Sequence, residues 1–172
     1  MTCYIAYNCT GVSATTQTNV AVGGVAYTTT GSRMMLQLDV PSTIQLRLIE
    51  WGVSFNGSAA ATPNTVELSQ AATGTTVTTA HTTSTILPLN DPNAPASRLT
   101  MATSGFYSGA VTRTSTTVDR VFDSQFVAPT SQYIKMWPLG REPVVAVSKK
   151  LQISMNLQAA VTALAYVVWE EI

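Results

Sequence analysis

Charge is what this chain has least of. Only 10% of its 172 residues are Asp, Glu, Lys or Arg, against about 25% in a typical globular domain. Nine basic and nine acidic residues balance to a formal net charge of zero. A free monomer normally keeps more ionic surface than this for solubility. The shortage therefore predicts a surface covered in large part by partners, in an oligomer or a larger assembly. It also argues against nucleic acid, because a phosphate backbone demands a basic patch. The largest basic cluster is the pair Lys149-Lys150, which suits a solvated strand or loop end.

Metal-binding and redox chemistry are short of residues too. There is one histidine, His81, and there are two cysteines, Cys3 and Cys9. A zinc site needs more ligands than these, closer in sequence. A disulfide between two cysteines so near each other would staple little of a fold. Free thiols are the expectation, as in a reducing cytoplasm. No stretch reaches the ~18 consecutive apolar residues of a membrane-spanning helix. The first ten residues lack a basic region followed by an apolar core, so no secretory signal is expected.

Recognisable catalytic motifs are missing as well. The G-x-S-x-G elbow, the Walker A loop, G-x-G-x-x-G and zinc spacings do not occur. His81 is the single candidate imidazole base. It lies in A-H-T-T-S, a polar stretch where an exposed histidine is expected and no catalytic geometry is held. Glu50, Asp119 and Asp123 lie on or beside predicted strands. A glycosidase would need two such carboxylates about 5 to 9.5 Å apart, and surface or ion-pair roles are the expectation. A small hydrolase acting on cell-wall polymer is disfavoured for want of an assembled acid–base set. No catalytic, cofactor-binding or metal-ligating residue emerges.

What the chain does have is alternation. In residues 43–57 (T-I-Q-L-R-L-I-E-W-G-V-S-F-N-G), Ile44, Leu46 and Leu48 alternate with Gln45 and Arg47, the period of a half-buried strand. At Leu48-Ile49 the phase breaks, and Ile49, Trp51, Val53 and Phe55 carry it onward. An uncorrected slip would turn every later side chain to the wrong face. A β-bulge near Leu48, Ile49 or Gly52 would restore the register. Asn56-Gly57 ends the run in a turn.

Other strands follow the same logic. Met34, Leu36, Leu38 and Val40 alternate in residues 33–40, and Leu151, Ile153, Met155 and Leu157 in residues 150–157. Residues 162–169 are apolar on both faces, as in a central or interface strand. Residues 65–69, 98–106, 116–127, 133–137 and 144–147 read as further strands. In 116–127, Val118, Phe122 and Phe126 share one parity and Val121 and Val127 the other. Residues 71–85 are too rich in Thr, Ala and Gly for a central strand, so an edge or an exposed loop is expected. Residues 87–96, with three prolines, form an irregular connection, and a loop containing an exposed Tyr107 follows. Roughly nine or ten strands without a long helix predict an all-β sandwich or barrel. Residues 1–30 are expected to be an N-terminal arm or a weakly ordered strand segment, and residues 31–172 a single β-sandwich domain.

Trp51, Trp137 and Trp169 could form a sugar-stacking platform. Each sits in or at the end of an apolar strand, which favours core or interface packing. Phe55 and Tyr166 join them as candidate core or subunit-interface residues. Arg141 and Glu142 lie in the turn P-L-G-R-E-P at 138–143, where an inter-subunit salt bridge is expected.

Three segments together carry a resemblance: L-R-L-I-E-W-G-V-S-F-N-G at 46–57, P-L-G-R-E-P-V-V at 138–145 and A-L-A-Y-V-V-W-E-E at 163–171. In order and spacing, the chain from residue 33 to 172 resembles the head decoration (capsid cement) proteins of actinobacterial phages. The resemblance implies a jelly-roll-like β-sandwich without cofactor or enzymatic activity. It implies a homotrimer, made in the host cytoplasm and bound to the major capsid protein on the outside of the virion. A second reading from another class is a receptor- or glycan-binding module of a phage tail or head fibre, with exposed aromatics as its contacts.

Overall fold

In the computed structural model, the residues described are 2–9, 24–28, 30–57, 62–109, 111–113 and 118–172. Eight strands carry the fold. They are β1 (Cys3–Tyr7), β3 (Gly31–Asp39), β4 (Leu46–Asn56), β5 (Asn64–Ala71), β9 (Val118–Val127), β10 (Gln132–Met136), β12 (Lys150–Leu157) and β13 (Val161–Glu171). Their pairings are all antiparallel and run β1-β13-β4-β10 in one sheet and β3-β12-β5-β9 in the other. Numbered among themselves, these orders are 1-8-3-6 and 2-7-4-5, the two interlocked Greek keys of a jelly roll. The two sheets pack face to face as the all-β sandwich that the alternation predicts.

Among the described residues there are thirteen strands, not nine or ten. Beside the eight are five short ones, β2 (Val25–Tyr27), β6 (Thr79–Ala80), β7 (Leu87–Pro88), β8 (Gly105–Phe106) and β11 (Val144–Val145), of which β11 falls within the strand expected over 144–147. Most are too short to leave an alternating signature, and their backbones are recruited by a neighbouring strand. Residues 98–106 are not one strand: a 3₁₀ turn, Met101–Thr103, precedes β8. Within residues 1–30, β1 lies inside the first sheet between β13 and β7, and β2 pairs with β13. Asn8 bridges the gap between them, accepting from Ala165 N at 2.8 Å and donating to Ala163 O at 3.2 Å. The remainder of the expected arm, residues 1, 10–23 and 29, lies outside the described residues. Both cysteines are free thiols.

The phase break in β4 is a bulge at Ile49. Val168 of β13 faces Glu50 and Trp169 faces Leu48, so Ile49 is the extra residue. Its carbonyl is taken by Trp137 N at 3.1 Å. The bulge keeps Leu46 and Leu48 inward and then turns Trp51, Val53 and Phe55 inward as well, all buried. A second bulge at Met35 does the same in β3, where Leu36 faces Ile153 and Met34 faces Ser154. Between the sheets, Leu36, Leu38, Val66, Leu68, Leu151, Ile153, Trp51 and Trp169 form one core. Trp169 stacks on Tyr4 with ring centroids 5.9 Å apart.

One margin of this core, between β9 and β10, is closed by a carboxylate. Asp123, on β9, is buried and points inward. Its Oδ2 accepts hydrogen bonds from Trp51 Nε1 at 3.2 Å and from Tyr133 Oη at 2.7 Å. Its Oδ1 accepts from Gln125 at 3.3 Å. The Trp51 ring meets Tyr133 edge-on at 5.6 Å. One side chain thus ties the edge strand of the second sheet to β4 and β10 of the first.

Truncating a buried aromatic costs about 3–5 kcal/mol, and we expect that loss for Trp51→Ala in denaturant titration. Asp123→Ala strands two donors and is expected to cost about 1–3 kcal/mol. Because the two substitutions remove the same bond, the double variant should lose less than their sum. Strict additivity would contradict the clamp.

Candidate interaction surface

The two flanks of the sandwich are built differently. On one flank the sheets end in β7 and, through β8, in β6, strands of two residues each, β7 ending in proline. Short edges and proline are devices that blunt strand-to-strand association. On the other flank the sheets end in β9, ten residues long, and β10, five residues long. Their outer edges have no backbone partner among the described residues.

Exposed apolar side chains gather on that open flank. Phe126 is 79% exposed on β9, and Val121, five residues earlier on the same strand, is 53% exposed. On β10, Ile134 is 53% and Met136 65% exposed, and Leu139 just beyond is 97% exposed. They form two groups, Val121 and Phe126 on the outward side of β9 in the second sheet and Ile134, Met136 and Leu139 on or just beyond β10 in the first, and grouped apolar residues mark contact surfaces where isolated ones do not. The parity in β9 explains why Phe126 faces out: Asp123 and Val127 take the inward positions. The β5–β9 ladder is bulged between Leu68 and Ser69 and again between Gln70 and Ala71, which places Val121 outward as well. Leu139 sits in a turn closed by Arg141 N to Pro138 O at 2.9 Å. Gly140 supplies the positive φ of +81° that this turn requires.

From β10 two rows of side chains run across the outer face of the first sheet, and in the second of them Val168 and Ile5 are buried. The first runs Ile134, Gly52, Tyr166, Tyr7. The second runs Met136, Glu50, Val168, Ile5. Gly52 is glycine because the Tyr166 ring lies across it: a Cβ there would come within 2.5 Å of Tyr166 Cε1. The ring reaches over to donate its phenol hydrogen to Glu50. Burial, and then this hydrogen bond, push the phenol well above the usual tyrosine range. Tyr7, Ser54, Gln132, Ile134, Leu164 and Tyr166 surround a cleft of about 160 Å³.

The residues singled out from sequence fall into two groups. Trp51, Phe55 and Trp169 are core, and Trp137 packs against the core from its rim. The tryptophans therefore do not present a sugar-stacking platform. Tyr166, Arg141 and Glu142 lie at the surface, and neither Arg141 nor Glu142 has an ion-pair partner among the described residues. The three carboxylates are held apart in function. Glu50 bonds Tyr166, Asp119 pairs with Lys149 at 2.7 Å, and Asp123 forms the clamp. Lys150 pairs with Asp39, so neither lysine of the basic pair is a lone surface charge. Among the described residues no group of three or more His, Cys, Asp or Glu side chains could hold a metal ion. No helix among them is long and apolar enough to cross a membrane.

Two expectations are corrected. Tyr107 is fully buried, its hydroxyl donating to Thr75 O at 2.8 Å. His81 is also buried, its ring 5.8 Å from Phe106 and its Nδ1 3.1 Å from Thr85 Oγ1. The segment around them is polar in sequence, but it folds down over the second sheet through hydrogen bonds to backbone. The residues that sequence reasoning passed over are Phe126, Ile134, Met136 and Leu139. The apolar tip of an otherwise polar turn, P-L-G-R, was the legible signal for the last of these.

Burial lowers the His81 pKa to about 4, partly offset by the Tyr7 backbone. The folded chain therefore binds this proton less readily than the unfolded chain, whose histidine titrates near 6.5. The stabilisation from neutral His81 is complete above pH 6.5 and is lost as pH falls towards 4, by roughly 3 kcal/mol. Denaturation from pH 7.5 to 4 should show a smaller loss for His81→Gln than for the parent, and parallel curves would contradict the assignment. No family model, curated protein or solved structure is similar to this chain.

Proposed function

We propose that this chain is a non-enzymatic structural protein, a capsid decoration or cement protein. It binds the outside of a major capsid protein lattice as a homotrimer and stabilises the shell. The observation that carries this reading is the open flank, with five large apolar side chains exposed between residues 121 and 139. The jelly roll and the scarcity of charge support it, and the resemblance of residues 46–57, 138–145 and 163–171 supplies the shell as partner. The work is area burial. Stable contacts cover about 1,200–2,000 Å², and a trimer multiplies individually weak contacts through effective concentration. Phe126 and the β9 edge are the part of the flank assigned to the shell.

The test is binding to expanded, empty shells. The parent is expected to bind saturably, at a fixed number of copies per shell. Phe126→Asp should weaken binding about tenfold or more without lowering the melting temperature, because the residue is exposed. Absence of saturable binding by the parent would overturn the reading.

A further inference from the structure

Leu139 and the Tyr7–Tyr166 cleft are complementary features of one chain that do not meet within it. Leu139 touches almost nothing of its own molecule, yet it is presented rigidly, on a hydrogen-bonded turn between Pro138 and Pro143. The cleft is lined by two tyrosine rings, Leu164 and Ile134. Its volume of about 160 Å³ suits a group of leucine size, since an apolar cavity of about 150 Å³ accommodates benzene. Charge follows the same pattern. Arg141 stands two residues beyond Leu139, exposed and without an ion-pair partner among the described residues. Glu50 stands two residues from Gly52 along β4, and its carboxylate accepts from Tyr166 but meets no cation among the described residues. The step from Gly52 to Glu50 is one pleat repeat, about 7 Å. Leu139 and Arg141 are likewise two residues apart, on one hydrogen-bonded turn.

We infer that the cleft is the socket of a self-assembly contact: Leu139 of one copy enters the Tyr7–Tyr166 cleft of the next, and Arg141 pairs with Glu50 across the same junction. The occupant is a second copy of this chain. A knob and a socket at different places on one molecule can pair reciprocally in a two-fold dimer or, as a heterologous contact, close into a ring or run on as a filament. Three copies closing a ring is the outcome consistent with the decoration reading, on which the trimer, though not the contact, rests. The contact leaves β9 free for a different partner.

Sedimentation of the full chain tests this through complementation. The parent should associate. Leu139→Asp, which removes the knob, and Ser54→Trp, which fills the socket, should each weaken association about tenfold or more. An equal mixture of the two variants should form heterodimers and nothing larger, because each pair retains one intact contact and cannot propagate it. Leu164→Glu serves as a second socket variant if Ser54→Trp lowers the melting temperature. A monomeric parent, a Leu139→Asp variant as associated as the parent, or a mixture that stays monomeric would overturn the inference. Shell binding is read separately. A monomeric parent that binds shells overturns this contact and the homotrimer, and leaves the shell-binding role standing. An associated parent that ignores shells supports the contact and overturns that reading.

Discussion

The buried carboxylate of Asp123 is the interaction on which the open flank depends. A sandwich whose two edge strands are left unpaired on the outside must be held together on the inside, or water enters between the sheets. Here the closure is polar. A buried carboxylate is costly unless its lone pairs are taken up, and Asp123 has three donors from two strands and its own neighbourhood. Burial first, and then Asp123 itself, push the Tyr133 phenol up to about 12, so this donor keeps its proton at any ordinary pH. Charge-assisted bonds of this kind are stronger than neutral ones, and they fix the spacing of β9 and β10. That spacing sets where Phe126, Ile134 and Met136 stand relative to one another.

The asymmetry between the flanks is the second consequence. Where the chain needs no partner, it ends its sheets in two-residue strands. Where it presents long edges, it tempers them unevenly. The first half of β9 carries two bulges and the charged residues Asp119 and Arg120, both engaged within the chain. Bulges and charge discourage indiscriminate pairing. The second half, from Asp123 to Val127, pairs with β5 in unbroken register and exposes Phe126. A surface so graded suits a specific contact better than general stickiness, and it fits a chain with few charges to keep it apart from its neighbours.

Much of the fold was legible because it is written in parity. The break at Leu48-Ile49 announced a bulge near Leu48, Ile49 or Gly52, because an extra residue keeps both Leu48 and Trp51 inside, and the pairing with β13 puts it at Ile49. The buried runs of β3, β12 and β13 were equally plain. What escaped was held by contacts without periodicity. Parts of residues 71–109 are held against the second sheet through polar links such as Gln37 to Thr103 O, at 2.9 Å, and within themselves by links such as Tyr107 to Thr75 O. Threonine-rich sequence gives no sign that it will bury a histidine or a tyrosine. The surface was harder still. Ile134 and Met136 look like core residues until β10 is known to be an edge whose inward positions belong to Tyr133 and its neighbours.

Electron cryo-microscopy of intact particles carrying this chain tests the central claim most directly. The account predicts jelly-roll density outside the shell, repeated with the symmetry of the lattice, with β9 towards the major capsid protein. Density confined to a tail or fibre, or absent from the particle, would contradict it.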